Sequence, residues 1–252
     1  MANNLQYDGD IVSVVESALT HPTHSPDLAQ SGDPVVVGAL VGVALASAAA
    51  ATDSLPVAVE GVFALPCTAV TASADSAIAI GDKLYFAAAD VKAQATLTSD
   101  ATAPSDGDTV TLGATVYTFK TALTTDPEPV PYEVLIGASA AAALDNLKSA
   151  INATAGAGTT YSEGTLAHPT FSATTNTNTT QLVEALTAGS ELNSAATTET
   201  SSHLAWGATT AFGGLSKGDL TKTSTDTGFG VAVGTVAAGA TDTIPVLLKR
   251  TF

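Results

Sequence analysis

Apolar residues along this chain come mostly in short runs broken by Gly, Pro, Asn and Asp, a rhythm of strands and turns rather than of long helices. Asp10–Val15 predicts a short strand, and "THPTHSPDLAQSGDP" after it predicts an extended loop. From Pro34 to Ala51 no residue is charged, which is long enough to raise a membrane span. The stretch opens on Pro, is rich in Gly and Ala, lacks flanking Lys or Arg and clusters β-branched residues in "PVVVGALVGVAL". It therefore predicts two buried strands around Gly38, and with no other candidate span the chain is expected to be soluble. "SAIAIGDKLYFAAADVKAQATLT" predicts two further strands with a turn at Gly81-Asp82.

The texture changes near residue 97. "DTVTLGATVYTFK" predicts a hairpin turning at Gly113-Ala114, and Tyr132–Ile136 a strand. Ala140, Leu144, Leu147 and Ile151 form one stripe of helical period, so a helix is predicted from Ser139 to about Ala153, capped by Ser139 and stopped at Gly156. The Thr-rich segment 172–200 reads as strands turning at Asn176–Asn178 and Gly189-Ser190, since Thr fits a half-exposed pleated surface.

One line is written twice: "TDSLPVAVEGVF" at 52–63 and "TDTIPVLLKRTF" at 241–252. Each copy follows a Gly-Val-Ala, so the paired positions are Gly42 and Gly230, Asp53 and Asp242, Pro56 and Pro245, Phe63 and Phe252. A shorter echo relates Gly32–Val37 to Gly81–Phe86. Two copies are too few for a solenoid, so the reading is a strand-turn-strand unit used twice within one sheet system, with Pro56 and Pro245 at sheet edges or strand starts and Phe252 packed in a core. The expected organisation is an extended N-terminal arm with a short strand at 1–30, a discontinuous β domain at 31–96 and 214–252, small and barrel-like, and an α+β domain of ββαββ type inserted at 97–213. The fold class is mainly β.

Charge narrows the partners. Acidic residues outnumber basic ones 24 to 8, a net charge of -16, which repels phosphate backbones and disfavours direct nucleic-acid binding. The start, "MANNLQYDGD", lacks the basic and apolar regions of a secretory signal. Cys67 is the lone cysteine, excluding an intrachain disulfide and a cysteine-based zinc site. His21 and His24 could share a metal, but no acidic or Cys partner follows at ligand spacing, and a polar Pro-rich surface loop explains them. His168 before Pro169 reads as a turn residue and His203 near Trp206 as a packing site. Asp8-Gly9-Asp10 and Asp106-Gly107-Asp108 read as turns rather than calcium loops, which need more ligands at fixed spacing. No nucleophile elbow or phosphate-cradling loop occurs, so no catalytic residue, cofactor or metal is assigned.

Ser31–Val35, Gly42–Ala44, Val57–Phe63, Gly81–Tyr85 and Gly230–Phe252, in that order, resemble the capsid decoration (cement) proteins of tailed bacteriophages, with the 97–213 stretch as an additional phage structural module. The resemblance covers the two flanks. It implies a non-enzymatic virion protein on the outer surface of the capsid, bound to the major capsid protein, commonly trimeric, stabilising the shell, and away from membranes. It assigns capsid contact to no particular residue. A different class, a carbohydrate-binding or host-adhesive module of a tail or fibre, would use the Thr-rich segment as its working face.

Overall fold

The computed structural model describes residues 11–71, 74–125, 127–223 and 227–248. The chain divides into two compact units, one from residues 1–91 and 213–252, the other from 92–212. The described residues are mainly β, with a closed barrel and a single helix.

In the first unit, β1 (Ile11–Val15) leads through a 3-10 turn at Glu16–Ala18 to β2 (Pro34–Val37), β3 (Leu40–Ala44), β4 (Ser54–Ala58), β5 (Gly61–Thr68) and β6 (Lys83–Phe86). As expected, the charge-free stretch forms two strands around Gly38, whose φ of 56° a side chain would resist. The Ser76–Ile80 segment is not a strand: it makes only an isolated bridge at Ile78, so the Gly81-Asp82 turn precedes β6 rather than joining two strands.

The second unit holds β7 (Lys92–Ser99), β8 (Thr109–Leu112), β9 (Thr115–Lys120), β10 (Glu133–Leu135), α1 (Ala140–Asn152), β11 (Phe171–Asn176), β12 (Thr180–Ala188), β13 (Thr197–Glu199) and β14 (Leu204–Trp206). These make two four-stranded sheets, ordered β10-β9-β8-β13 and β11-β12-β7-β14. Four strands therefore stand on each side of the helix, not two. Strand β7 belongs here because its alternate residues Ala93, Ala95 and Leu97 are buried in this unit's core. The helix buries Leu144, Leu147 and Ile151 in the same core, and the Ser139 side chain accepts a hydrogen bond from Ala142 N. It ends at Ala153 in the left-handed conformation, φ 46°, ahead of Gly156.

The first unit then resumes with β15 (Leu220–Thr221), β16 (Thr227–Ala232) and β17 (Thr241–Leu248). The pairing explains the repeated line. One sheet runs β1-β4-β3-β2, and the barrel contains β5-β17-β16-β6, both antiparallel throughout. Register matches position by position: Val57 lies opposite Val12 and Ala44, and Val246 opposite Phe63 and Ala232. Pro34 pairs with Val43 and Lys83 with Val231, while Val35 pairs with Gly42 and Leu84 with Gly230.

Hydrogen bonds outside the ladders repeat as well. Ala44 N donates to Asp33 O at 3.0 Å and Ala232 N to Asp82 O at 2.9 Å. Leu45 N donates to Pro56 O at 2.9 Å and Val233 N to Pro245 O at 2.8 Å. The repeat is thus a four-stranded sheet, larger than the expected strand-turn-strand, and its copies occupy two sheets rather than one. In the first repeat β2 and β3 are joined by the tight turn at Gly38-Ala39; in the second, the residues of the other unit lie between β6 and β16. Strand β15 then pairs parallel to β5 and antiparallel to β6, closing the second repeat into a barrel.

Candidate functional site

The repeated positions build the frame. A Cβ on Gly42 would meet Val57 Cγ1 at 2.4 Å and Ala58 O at 2.5 Å; on Gly230 it would meet Val246 Cγ1 and Leu247 O, both at 2.9 Å. Both glycines therefore serve close strand approach at the same place in each repeat. Asp53 closes a turn by accepting from Ala49 N and Ala50 N, whereas Asp242 accepts from its neighbour Thr243 N. Pro56 and Pro245 do not sit on edge strands, since β4 and β17 are interior. Each is tolerated because its ring nitrogen lies at the end of a ladder: pairing stops at Ala44–Val57 and Ala232–Val246, and only the proline carbonyl is used beyond. Phe63 is half-buried against the barrel core; Phe252 lies outside the described residues.

The second repeat presents a largely apolar outer face, free of acidic residues at its paired positions and bordered by Lys83, the partner of Val231. Across β5 and β17, Val62 pairs with Leu247, Ala64 with Pro245 and Pro66 with Thr243, and Val231 of β16 pairs with Leu247. Val62 is 58% exposed and Leu247 37%, and Val233 beside them 41%. The matching face of the first repeat is used internally only on its β2, β3 and β4 side: Val36 and Val43 are buried in the barrel's hydrophobic cluster and Ala58 is buried, while Ile11 and Val15 of β1 stay exposed. Contiguous exposed apolar residues are the kind of surface that marks interaction sites, and the net charge of -16 disfavours a polyanion as what covers it. Among the described residues strand β1 lies at a sheet edge, with Ile11 and Val15 exposed. Residues 16–30, read from sequence as part of an arm, are tied down: Ala29 N donates to Glu16 Oε1, and Thr20 bridges to Val36.

Part of this unit falls within a stretch that a known family matches. Residues 14–106 match the phage cement protein family. The match runs from the end of β1 through the rest of the first repeat, β5 and β6 of the second, and β7 of the other unit, and the family is the one the sequence resembles. The family name indicates capsid decoration proteins, structural components of the virion. No curated protein and no solved structure matches the chain.

Several polar side chains are placed differently from their sequence reading. His168 is buried, its Nε2 donating to Leu112 O at 2.9 Å while Nδ1 accepts from Phe171 N at 3.0 Å, and burial holds its pKa below the usual imidazole value. This neutral histidine is a structural clamp between β8 and β11. His203 does not pack on an aromatic ring; its Nδ1 pairs with Asp100 Oδ2 at 2.9 Å, and that bond lowers the Asp100 pKa. Asp106 and Asp108 cap their own turn, accepting from Thr121 N and Ser105 N, while Asp8–Asp10 lie outside the described residues.

At the closing strand of the barrel, buried Asp219 accepts from Thr68 Oγ1 and Ser216 N through one oxygen, and burial raises its pKa. Cys67 beside it is pushed up to about 12 by burial and then by the Asp219 charge, so it is an inert thiol. The histidines of the first loop do gain acidic partners: Glu16 for His21 and Asp33 for His24. Spacing concealed this, because Asp33 is brought back by the loop and Glu16 precedes it. Among the described residues no helix is long and apolar enough to cross a membrane.

Proposed function

We propose that the protein is a capsid decoration protein that binds the outside of a phage head, contacts the major capsid protein and reinforces the shell. The carrying observation is that the stretch matching the cement family contributes Val62 to an exposed, largely apolar barrel face with no acidic residue at its paired positions. Burying that face against capsid protein removes apolar area from water at about 25 cal/mol per Å², and it asks no acidic group to lose its hydration. The β1 edge, unpaired among the described residues, supplies a second mode, strand addition to or from a neighbouring chain. Copies acting as a homotrimer multiply such contacts by avidity. The second unit reads as an insertion at the turn between β6 and β16, where its length costs the barrel little.

The test is co-sedimentation with intact undecorated capsids, comparing wild type with Val62→Asp/Leu247→Asp. Wild type is expected to pellet with capsids and the variant to stay in solution at unchanged thermal stability. A wild type that fails to pellet overturns the function; a variant that pellets equally well overturns the assigned face. Sedimentation equilibrium of the free protein checks the trimer. The adhesive reading finds no specific support, because the second unit's Tyr117, Tyr161, Phe171 and Trp206 are buried in its core rather than displayed as a sugar platform.

A further inference from the structure

His21, His24 and Asp33 bring one ligand atom each to within 4.8 Å of one another. The two histidine rings are stacked, nearly parallel, with centroids 6.2 Å apart. His24 Nε2 lies 2.7 Å from Asp33 Oδ2, and His21 Nε2 lies 3.1 Å from Glu16 Oε1. Glu16 is 3% exposed, and its second oxygen, Oε2, is buried with no hydrogen-bond partner among the described residues. A buried carboxylate oxygen left unpaired costs about 1–3 kcal/mol or more, so the arrangement is incomplete as a purely hydrogen-bonded cluster.

The tautomer points the same way. His21 Nδ1 is 2.7 Å from Pro22 O and donates to that carbonyl, so Nε2 is the ring atom that faces Glu16 Oε1 and the one that a metal could take in place of a proton. This is the second-shell arrangement that metal-ligating histidines adopt. We propose that His21, His24 and Asp33, with Glu16 as a further carboxylate, form a binding site for a divalent transition metal of the zinc class. Two imidazoles and carboxylates suit zinc better than calcium or magnesium, which seek oxygen alone. Zinc at about 2.0–2.2 Å from each atom holds its donors about 3.3–3.6 Å apart, so the cluster closes by small side-chain shifts. The His24–Asp33 side is accessible, with side-chain exposures of 22% and 13%, and provides the way in.

Comparison with the second repeat shows what is particular here. The position of Asp33 is held there by Asp82, whose Oδ2 takes Ala79 N and the ammonium of Lys222 at 2.9 Å. The position of Glu16, next to the strand that carries Asp53, is held by Cys67 opposite Asp242. The second repeat satisfies its aspartate with a fixed lysine cation and has no buried acid at the Glu16 position. In the first repeat two histidines and a buried glutamate stand in those places. A metal there would tie the long β1–β2 connection to the start of β2, stabilising the fold as loop closures do.

The test titrates tag-free, chelator-treated full-length protein with zinc chloride by calorimetry at neutral pH, with thermal unfolding in parallel. Expected are one zinc per chain, a raised Tm, and no response to magnesium chloride. His24→Gln and Asp33→Asn are each expected to weaken zinc binding at least tenfold, while His203→Gln, in the second unit, leaves it unchanged. His24 is partly exposed, so its variant should fold, and the zinc-free Tm of each variant confirms this. Absence of stoichiometric zinc binding by wild type, or binding undiminished in a folded His24→Gln/Asp33→Asn double variant, overturns the proposal.

Discussion

The two repeats of the first unit share strand order, register and turn hydrogen bonds, yet one is an open sheet and the other a closed barrel. The open copy ends at β1 and β2 and completes itself by pressing Val36 and Val43 into its sibling's cluster. The barrel copy is closed by β15, two residues long, supplied by the chain as it returns from the second unit. The lesson is that one four-stranded motif has two ways of covering its interior, and the choice is made by what connects the second and third strands in space. A tight turn at Gly38 leaves the gap open; a long connection supplies a strand to fill it.

The largest expected effect comes from breaking the closure. Leu220 is fully buried between β5 and β6. Leu220→Asp places an unpaired charge there and is expected to cost about 3–5 kcal/mol, read as a drop in the urea midpoint of the first unit. Lengthening the Gly38-Ala39 turn with a few Gly-Ser residues, the formal counterpart in the open copy, is expected to cost about 1 kcal/mol or less. Equal losses would show that closure is not what distinguishes the repeats.

Next come the matched glycines. Gly42→Ala meets a carbonyl oxygen at 2.5 Å and Gly230→Ala its equivalent at 2.9 Å. Both are expected to destabilise, by about 3 and about 1–2 kcal/mol respectively, in chemical denaturation. A reversed order would mean that the barrel, not the open sheet, is the more tightly built copy.

The smallest effect is a matter of pH. Burial raises the folded-state pKa of Asp219, so the proton is held more tightly when folded. Its contribution is therefore fully present below the unfolded carboxylate pKa of about 3.9 and is lost as pH rises through the folded value. Asp219→Asn keeps an oxygen for Thr68 and Ser216, which both donate to one atom. It is expected to raise Tm at pH 7 and to leave it nearly unchanged at pH 3.5; a lower Tm at pH 7 would refute the sign.

Much of this was legible in the chain itself. The Thr-Asp-x-φ-Pro-Val echo and the shorter Gly-Asp echo, where x is any residue and φ an apolar one, mark β4 with β17 and β2 with β6, because like residues recur where like turns and pairings demand them. The helix and the 109–120 hairpin were visible for the same local reason: period and capping act over a few residues. What the sequence concealed depends on distant neighbours. Strand β15 is too short to have a period, and β10 pairs parallel to β9 across a proline-rich loop. The partner of β17 is β5, which no local signal names. The His21–His24–Asp33 grouping was missed because a ligand spacing was sought along the chain, while the loop folds Asp33 back onto His24 and lays Glu16 beneath His21.

The split of the second repeat also sets an order of events in folding. Every partner in the first sheet is available once residue 58 has been made, and the second unit can close on its own core by residue 212. Strands β5 and β6 must wait for β17 and β16, with the whole second unit intervening, so the barrel is the slow, non-local step. Until it is taken, two apolar strands stand with unfilled edges, and a second chain in the same state is a ready competitor for them.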